Sequence, residues 1–465
     1  MGFVGREREL ADLRGFLEIV RSGTRADRGL AVTIQGRRRV GKSRLVDEFT
    51  RRAGVPFVYF QAARRAHIGD ELAELARSVA TSNLPDAAIA ADNRPQSLTA
   101  ALTLLAAALP EEPTVVVIDE LPWLLEQVDS GAGELQRVWD MRLSKVPVLL
   151  LLLGSDVAMM EQLLGPDHPF FGRATSMALD PLNPADIARM TNTGAIAAFD
   201  AYLATGGLPL VAQEWVPGET LDMFLTRSFS ASTSALVVSG MRTLDSEFPE
   251  TSLARQVLTA IGGRGERTFT AIQRAVGAHA TTLDTALGAL RRARIITADE
   301  PLSARPSPKN RRYRIADPAL RFWLAFVEPA LAEVDRARPD LAMARVTAGY
   351  APWRGRTIEP VVRTALERLL PDSAWPRVQQ VGGWWPRNNI PEVDLVGMGR
   401  DVEFVGTIKW RTGPLEHADL TALGRDAAAV PGARVGTPLI GVCPGGSAAD
   451  GFTTVWDASD LLAAW

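Results

Sequence analysis

Lys42 and Ser43 close the run Gln35-Gly36-Arg37-Arg38-Arg39-Val40-Gly41-Lys42-Ser43, which follows the apolar stretch Leu30-Ala31-Val32-Thr33-Ile34. This GxxxxGK[ST] spacing suits phosphate binding. Gly36 and Gly41 let the backbone curl until its N–H groups face the anion, Lys42 reaches the β and γ oxygens, and Ser43 offers a hydroxyl to Mg²⁺. A second constellation lies in Thr114-Val115-Val116-Val117-Ile118-Asp119-Glu120, an apolar run ending in two acids. Asp119 is expected to hold Mg²⁺ through water and Glu120 to orient or activate an attacking water, which is hydrolytic chemistry rather than binding alone. Ser155 follows a further apolar run, Val148 to Leu153. It is read either as a polar sensor of the γ-phosphate or as part of an ordinary Gly-Ser turn. Lysine is scarce: Lys42, Lys145, Lys309 and Lys409 are the four among 51 basic residues, leaving 51 − 4 = 47 arginines. Where a lysine does stand, a need for a compact point charge is one explanation, because a guanidinium fork does not replace an ammonium.

These groups need a sheet edge to meet on. Strand patterns at Leu30–Ile34, Pro56–Phe60, Thr114–Asp119 and Val148–Leu153 alternate with helical periodicity at Glu71–Ala80 and Ser97–Leu109. That alternation predicts an α/β fold with a parallel sheet. At 465 residues the chain is long enough for about three or four domains. The net charge of −3 argues against a wholly basic nucleic-acid coat. One cysteine, Cys443, excludes an intramolecular disulfide, and four scattered histidines give no zinc-ligand spacing. The first residues lack the apolar core of a signal peptide, and no apolar run approaches bilayer length. A cytoplasmic protein without a membrane partner is expected.

Phe3-Val4-Gly5-Arg6-Glu7-Arg8-Glu9 resembles the GRE box of AAA+-related ATPases, including the origin-recognition and STAND signalling groups. The resemblance implies that Val4, Gly5 and Arg6 lie beside adenine. Gly206-Gly207-Leu208-Pro209 resembles the GxP motif of the helical lid, which implies that Pro209 packs near the base or ribose. Arg39, Val40 and Arg44 join Gly36, Gly41, Lys42 and Ser43 as expected nucleotide-contacting positions. Arg173 matches a family Gly-Arg position that contacts the γ-phosphate from its own or a neighbouring subunit; the plain alternative is a surface arginine closing a turn. The catalytic set is therefore Glu120, Lys42, Ser155 and Arg173, with Ser43 and Asp119 toward Mg²⁺. ATP is expected rather than GTP, from the family resemblance and from the absence of an NKxD motif. The order of motifs is similar to that of archaeal-type ATPases that carry a winged helix and a C-terminal domain resembling restriction endonucleases.

That resemblance implies a multidomain α/β chain: a P-loop NTPase core at 1–195, a helical lid at 196–248, a winged helix at 249–330 and a nuclease-like domain at 340–465. Between Arg264 and Arg321 the sequence holds twelve basic residues (264, 267, 274, 291, 292, 294, 305, 309, 311, 312, 314, 321) and five acids (266, 284, 299, 300, 317), locally +7. Duplex DNA is a candidate partner of this segment, with Arg305 to Arg312 on the wing. The alternative is an interaction module whose arginines are paired or solvated, with a protein partner or a second copy of the chain as its target. In the last segment Glu359, Asp394 and Lys409 match the PD-(D/E)xK nuclease pattern, in which helix and strand acids bind a divalent metal. Thr407 stands where the acid of ExK belongs, so one negative ligand is missing. Glu403, four strand residues from Thr407, sits about 13 Å away and does not replace it. A degenerate nuclease-like site is the expectation, with an active ATP-gated nuclease as the alternative. The seven tryptophans from Trp353 onward are expected in core and interface rather than as base-stacking platforms.

Overall fold

The computed structural model describes the chain except residues 1, 25–26, 156–158, 161–162, 164, 166–167, 249–250 and 304–309. It divides into two compact units, Met1–Pro181 and Leu182–Trp465. Arg305 and Lys309 of the expected wing lie outside the described residues.

The N-terminal unit is built on five parallel strands, β1 (Leu30–Gln35), β2 (Phe57–Gln61), β3 (Thr114–Asp119), β4 (Val148–Gly154) and β5 (Ala174–Ala178), in the order β2-β3-β4-β1-β5. β3 and β4 are buried along their whole length, because helices cover both faces of the sheet. On one face, helices Glu7–Ser22 and Lys42–Ala53 pack Leu13, Leu17, Leu45 and Phe49 against Val32, Val117 and Leu151. On the other, helices Ile68–Ala80, Leu98–Ala108 and Gly131–Met141 pack Leu72, Leu102 and Val138 against Val116 and Leu150. Ser97 caps the middle one of these by accepting from Ala100 N. Putting β1 beside β4, with β3 next, brings Gln35, Gly154 and Asp119 to one edge of the sheet. β5 has no apolar run; Ala-Thr-Ser-Met-Ala is an edge strand with one buried side chain, Met177.

The C-terminal unit begins with helices Pro184–Thr191, Ala195–Thr205, Leu221–Phe229 and Ala235–Glu247. Helices Phe269–Val276 and Ala280–Arg292 then lead into an antiparallel sheet of β6 (Arg267–Thr268), β7 (Ile296–Asp299) and β8 (Arg312–Ile315), ordered β6-β8-β7. A mixed sheet ends the chain: β9 (Gln380–Trp384), β10 (Val393–Met398), β11 (Val402–Ile408), β12 (Leu439–Val442) and β13 (Thr454–Trp456), ordered β13-β12-β11-β10-β9. β9 to β11 pair antiparallel and β11 to β13 parallel. A helix of 31 residues runs from Pro339 to Leu369. Pro352 and Pro360 are carried inside it, their local cost outweighed by an apolar face fixed by Trp353, Ile358, Val362 and Leu366. Six of the seven late tryptophans are buried, Trp353, Trp375, Trp384, Trp385, Trp410 and Trp456, which places them in the core as expected. Among the described residues no helix is long and apolar enough to cross a membrane.

Candidate nucleotide site

β1 ends at Gln35 and the chain turns at once into the helix Lys42–Ala53. The turn needs unusual backbone: Arg39 (φ 67°) and Gly41 (φ 97°) are left-handed, and a Cβ on Gly36 would stand 2.5 Å from the Leu179 carbonyl. Lys42 folds over the loop and donates to the carbonyls of Gly36 (2.6 Å) and Arg37 (3.1 Å). Arg6 is buried, left-handed (φ 66°), and donates to the Val40 carbonyl at 3.0 Å and to Glu9 at 2.9 Å. Arg6 is thereby tied to the phosphate loop, with Gly5 buried and Val4 half-buried just before it, while Arg44 is exposed on the first helical turn.

Ser43 Oγ donates to Asp119 Oδ2 at 2.6 Å across the edge between the loop and β3. Glu120 N caps the other oxygen, Oδ1, at 2.9 Å. Glu120 itself is left-handed (φ 53°), a strained turn from strand to helix that swings its carboxylate back over the sheet edge. There Ser155 Oγ lies 2.6 and 2.7 Å from its two oxygens, and Ser155 N donates to Oε2 at 3.2 Å. Ser43, Asp119, Glu120 and Ser155, contributed by three elements, thus form one hydrogen-bonded chain. Of the four left-handed non-glycine residues described in this unit, Arg6, Arg39 and Glu120 stand here, so strain is concentrated at the site.

In the C-terminal unit Glu359 and Asp394 also meet, on the long helix and β10. Asp394 Oδ2 accepts from Thr407 Oγ1 (2.9 Å) and Ile408 N (2.8 Å), while Glu359 Oε2 accepts from Arg363 (3.0 Å). Burial, reinforced by Asp394 and opposed by Arg363, pushes the Glu359 carboxyl up to about 8. Lys409 follows the end of β11 and donates its backbone N–H to Val442. Glu403 pairs instead with Arg377 at 2.8 Å, and Glu392 with Arg312, so neither supplies the missing acid.

The profile of the AAA ATPase domain matches residues 2–138. Residues 2–138, most of the N-terminal unit, carry an AAA ATPase domain. Residues 323–422 match a second family, described as archaea bacterial proteins of unknown function. An uncharacterized protein of Methanocaldococcus jannaschii is 24% identical over 321 residues, 67% of this chain and 70% of the relative. Among solved structures, a Walker-type ATPase of Pyrococcus abyssi is similar at 19% identity and a TM-score of 0.52, covering 69% of this chain and 96% of its own. The ORC2 protein of Aeropyrum pernix, in its ADPNP-ADP complexes, gives 14% identity and a TM-score of 0.44 over 73% and 96% of the two chains.

Within the N-terminal unit, Arg173 makes a two-pronged contact with Asp140, at 2.8 and 2.9 Å, and donates to the carbonyls of Pro169 (2.9 Å) and Phe171 (3.1 Å). The guanidinium holds the Asp140 carboxyl below its usual range. Pro209 starts a short helix in the C-terminal unit after Gly206 and Gly207, both left-handed. Sequence reasoning missed Tyr59. Its hydroxyl donates to Asp119 Oδ2 at 2.7 Å, sharing that oxygen with Ser43, and burial together with the Asp119 carboxylate holds the phenol far above its ordinary value. The available signal was a tyrosine two residues before Gln61, the residue of β2 that pairs with Asp119 across the sheet.

Proposed function

We propose that this chain binds ATP with Mg²⁺ and hydrolyses it as a conformational switch, acting in the cytoplasm. The observation that carries the reading is the continuous link from Ser43 through Asp119 and Glu120 to Ser155, a run of two hydroxyls and two acids along one edge. Mg²⁺ fits here because it keeps several waters and asks the protein for only one or two oxygens, and Ser43 and Asp119 offer a hydroxyl and a carboxylate 2.6 Å apart. When bound, it would neutralise charge between the β and γ phosphates. Lys42 would leave the Gly36 and Arg37 carbonyls for phosphate oxygens, Arg6 would keep the loop in shape through Val40, and Glu120 would take a proton from, or orient, the attacking water. Val4, Gly5, Arg39, Val40, Arg44 and Pro209 complete the proposed nucleotide contacts. Arg173 would act at the γ-phosphate only after release from Asp140.

In the same reading, residues 249–330 are a winged helix and 340–465 a nuclease-like fold without nuclease activity. A specific observation bears on DNA: Arg312 and Arg314 pair with acids at 2.5 and 2.6 Å, Arg311 pairs with Glu300, and Arg321 is buried. The exposed Arg267, Arg274, Arg291 and Arg292 remain for a phosphate backbone. The deciding measurement is phosphate release from purified protein with Mg²⁺-ATP, with and without duplex DNA, using Glu120→Gln as the blank. Turnover above that blank supports the reading, and stimulation by DNA assigns the partner. Turnover equal to the blank refutes hydrolysis, and turnover indifferent to DNA directs the switch to a protein.

A further inference from the structure

The Glu359 carboxylate and the Asp394 backbone carbonyl are already served by a cation from their own chain. Arg363, one turn beyond Glu359, donates one end of its guanidinium to Glu359 Oε2 at 3.0 Å and its Nε to the Asp394 carbonyl at 3.0 Å. It lies so close to β9 that a Cβ on Gly383 would stand 2.5 Å from its terminal nitrogen. The guanidinium is 13% exposed, and both Thr407 and Ile408 N spend their hydrogen bonds on Asp394 Oδ2. Among the described residues no group of three or more His, Cys, Asp or Glu side chains is placed to hold a metal ion.

The three-stranded sheet clamps the same region from outside. Arg312 of β8 bonds Glu392 Oε1 (2.5 Å) and Asn389 Oδ1 (2.8 Å) and stacks 4.2 Å over Trp385, whose indole N–H donates to the Asn310 carbonyl at 2.8 Å. Leu302 N donates to the Gly383 carbonyl at 2.8 Å, and the Leu302 side chain fills the space above Gly382, 2.8 Å from where a Cβ would be. Glu266 and Glu392 add their negative field at Glu359.

We infer that this site is an internal latch: Arg363 stands between Glu359 and Asp394 in place of a divalent cation, and Arg312 with Leu302 clamps the three-stranded sheet onto β9 and the start of β10. A planar fork satisfies two oxygen acceptors at fixed geometry without the desolvation of a divalent ion, so Glu359 and the Asp394 backbone carbonyl hold a strut, while the Asp394 carboxylate accepts from Thr407 and Ile408 N. The comparison with a metal site rests on the nuclease-like reading; the clamp does not.

Titration of the full-length, nucleotide-free protein with Mn²⁺ alone tests the first half. Wild type and Asp394→Asn are expected to give the same isotherm. Arg363→Gln, which keeps a polar reach to the Asp394 carbonyl, and Arg363→Ala are expected to gain about tenfold or more in Mn²⁺ affinity, removed again by Asp394→Asn. Asp394-dependent binding already present in wild type overturns the inference and leaves the nuclease-like reading standing. Folded Arg363 variants with no gain overturn the replacement of a metal and that reading together. For the clamp, Glu392→Gln changes a side chain that is 46% exposed, and hydrogen exchange is expected to quicken in Arg312–Ile315 and Gln380–Trp384 together. Unchanged exchange in both strands refutes the clamp.

Discussion

Ser155→Ala removes the hydroxyl that lies within 2.7 Å of both Glu120 oxygens and leaves the strand end otherwise intact. A hydrogen bond to a charged group contributes about 1.5–3 kcal/mol, which corresponds to about 10- to 150-fold in rate if it is made in the transition state. Ser155 reaches Glu120 rather than the P-loop, so the loss should fall on kcat and leave ATP affinity nearly unchanged. The assay is steady-state phosphate release alongside binding of a fluorescent ATP analogue, with Ser155→Thr as a control that keeps the hydroxyl. A second check is the double variant: in a Glu120→Gln background, Ser155→Ala should cost much less than alone, because the two act as one unit. An unchanged or raised kcat in Ser155→Ala refutes the reasoning, since the bond would then be a brake on Glu120 rather than its support.

Lys42→Ala is expected to lose hydrolysis and most nucleotide affinity, and wild-type-like turnover would contradict the assignment of the loop. Gly207→Ala places a Cβ against the Leu182 carbonyl at a left-handed position (φ 69°), so denaturant unfolding should show a loss of about 1–3 kcal/mol or more; an unchanged midpoint contradicts the local geometry. Asp200 is a carboxyl whose burial, despite Arg354 at 3.1 Å, raises it above its usual value of 3.8. The folded chain therefore keeps that proton to higher pH than the unfolded chain. Its contribution to stability falls as pH rises from 3.8 through the raised folded value and is flat above it. Thermal unfolding of Asp200→Asn across that range should lack this slope, and a slope equal to wild type would rule it out.

The core of the AAA ATPase domain was legible because its chemistry sits at the ends of unbroken apolar runs, and such runs announce strands covered on both faces. β3 ends at Asp119, the residue its apolar pattern indicated, and the helix after Gly41 starts at Lys42. β5 was not legible: an edge strand needs one buried residue, and Ala174–Ala178 carries no pattern to distinguish it from a loop. The first half of the long helix, Pro339 to Arg354, was not legible; Pro352 lies in it, and its local cost is outweighed by packing that only the tertiary structure reveals. Side-chain partnerships were the least visible. Glu359, Asp394 and Lys409 could be found by spacing, yet Arg363, which changes what the acids do, is one more arginine among 47.

The same distinction governs the basic segment. A count of twelve cations against five acids is a statement about composition, and electrostatic attraction to DNA depends on the cations that remain in water. Arg264 is stacked 4.9 Å from Phe326 and donates to the Ala325 carbonyl, Arg321 is 3% exposed, and Arg311, Arg312 and Arg314 face Glu300, Glu392 and Asp299. An arginine held by an acid and an aromatic face keeps its charge but has it compensated locally and its reach fixed, so its removal should loosen the fold before it weakens any partner. Arg291 and Arg292, exposed in the last turn of the helix Ala280–Arg292, are the positions where charge reversal separates the two roles: loss of a salt-dependent DNA affinity without loss of stability belongs to a binding surface, and no change in either leaves this segment to a protein.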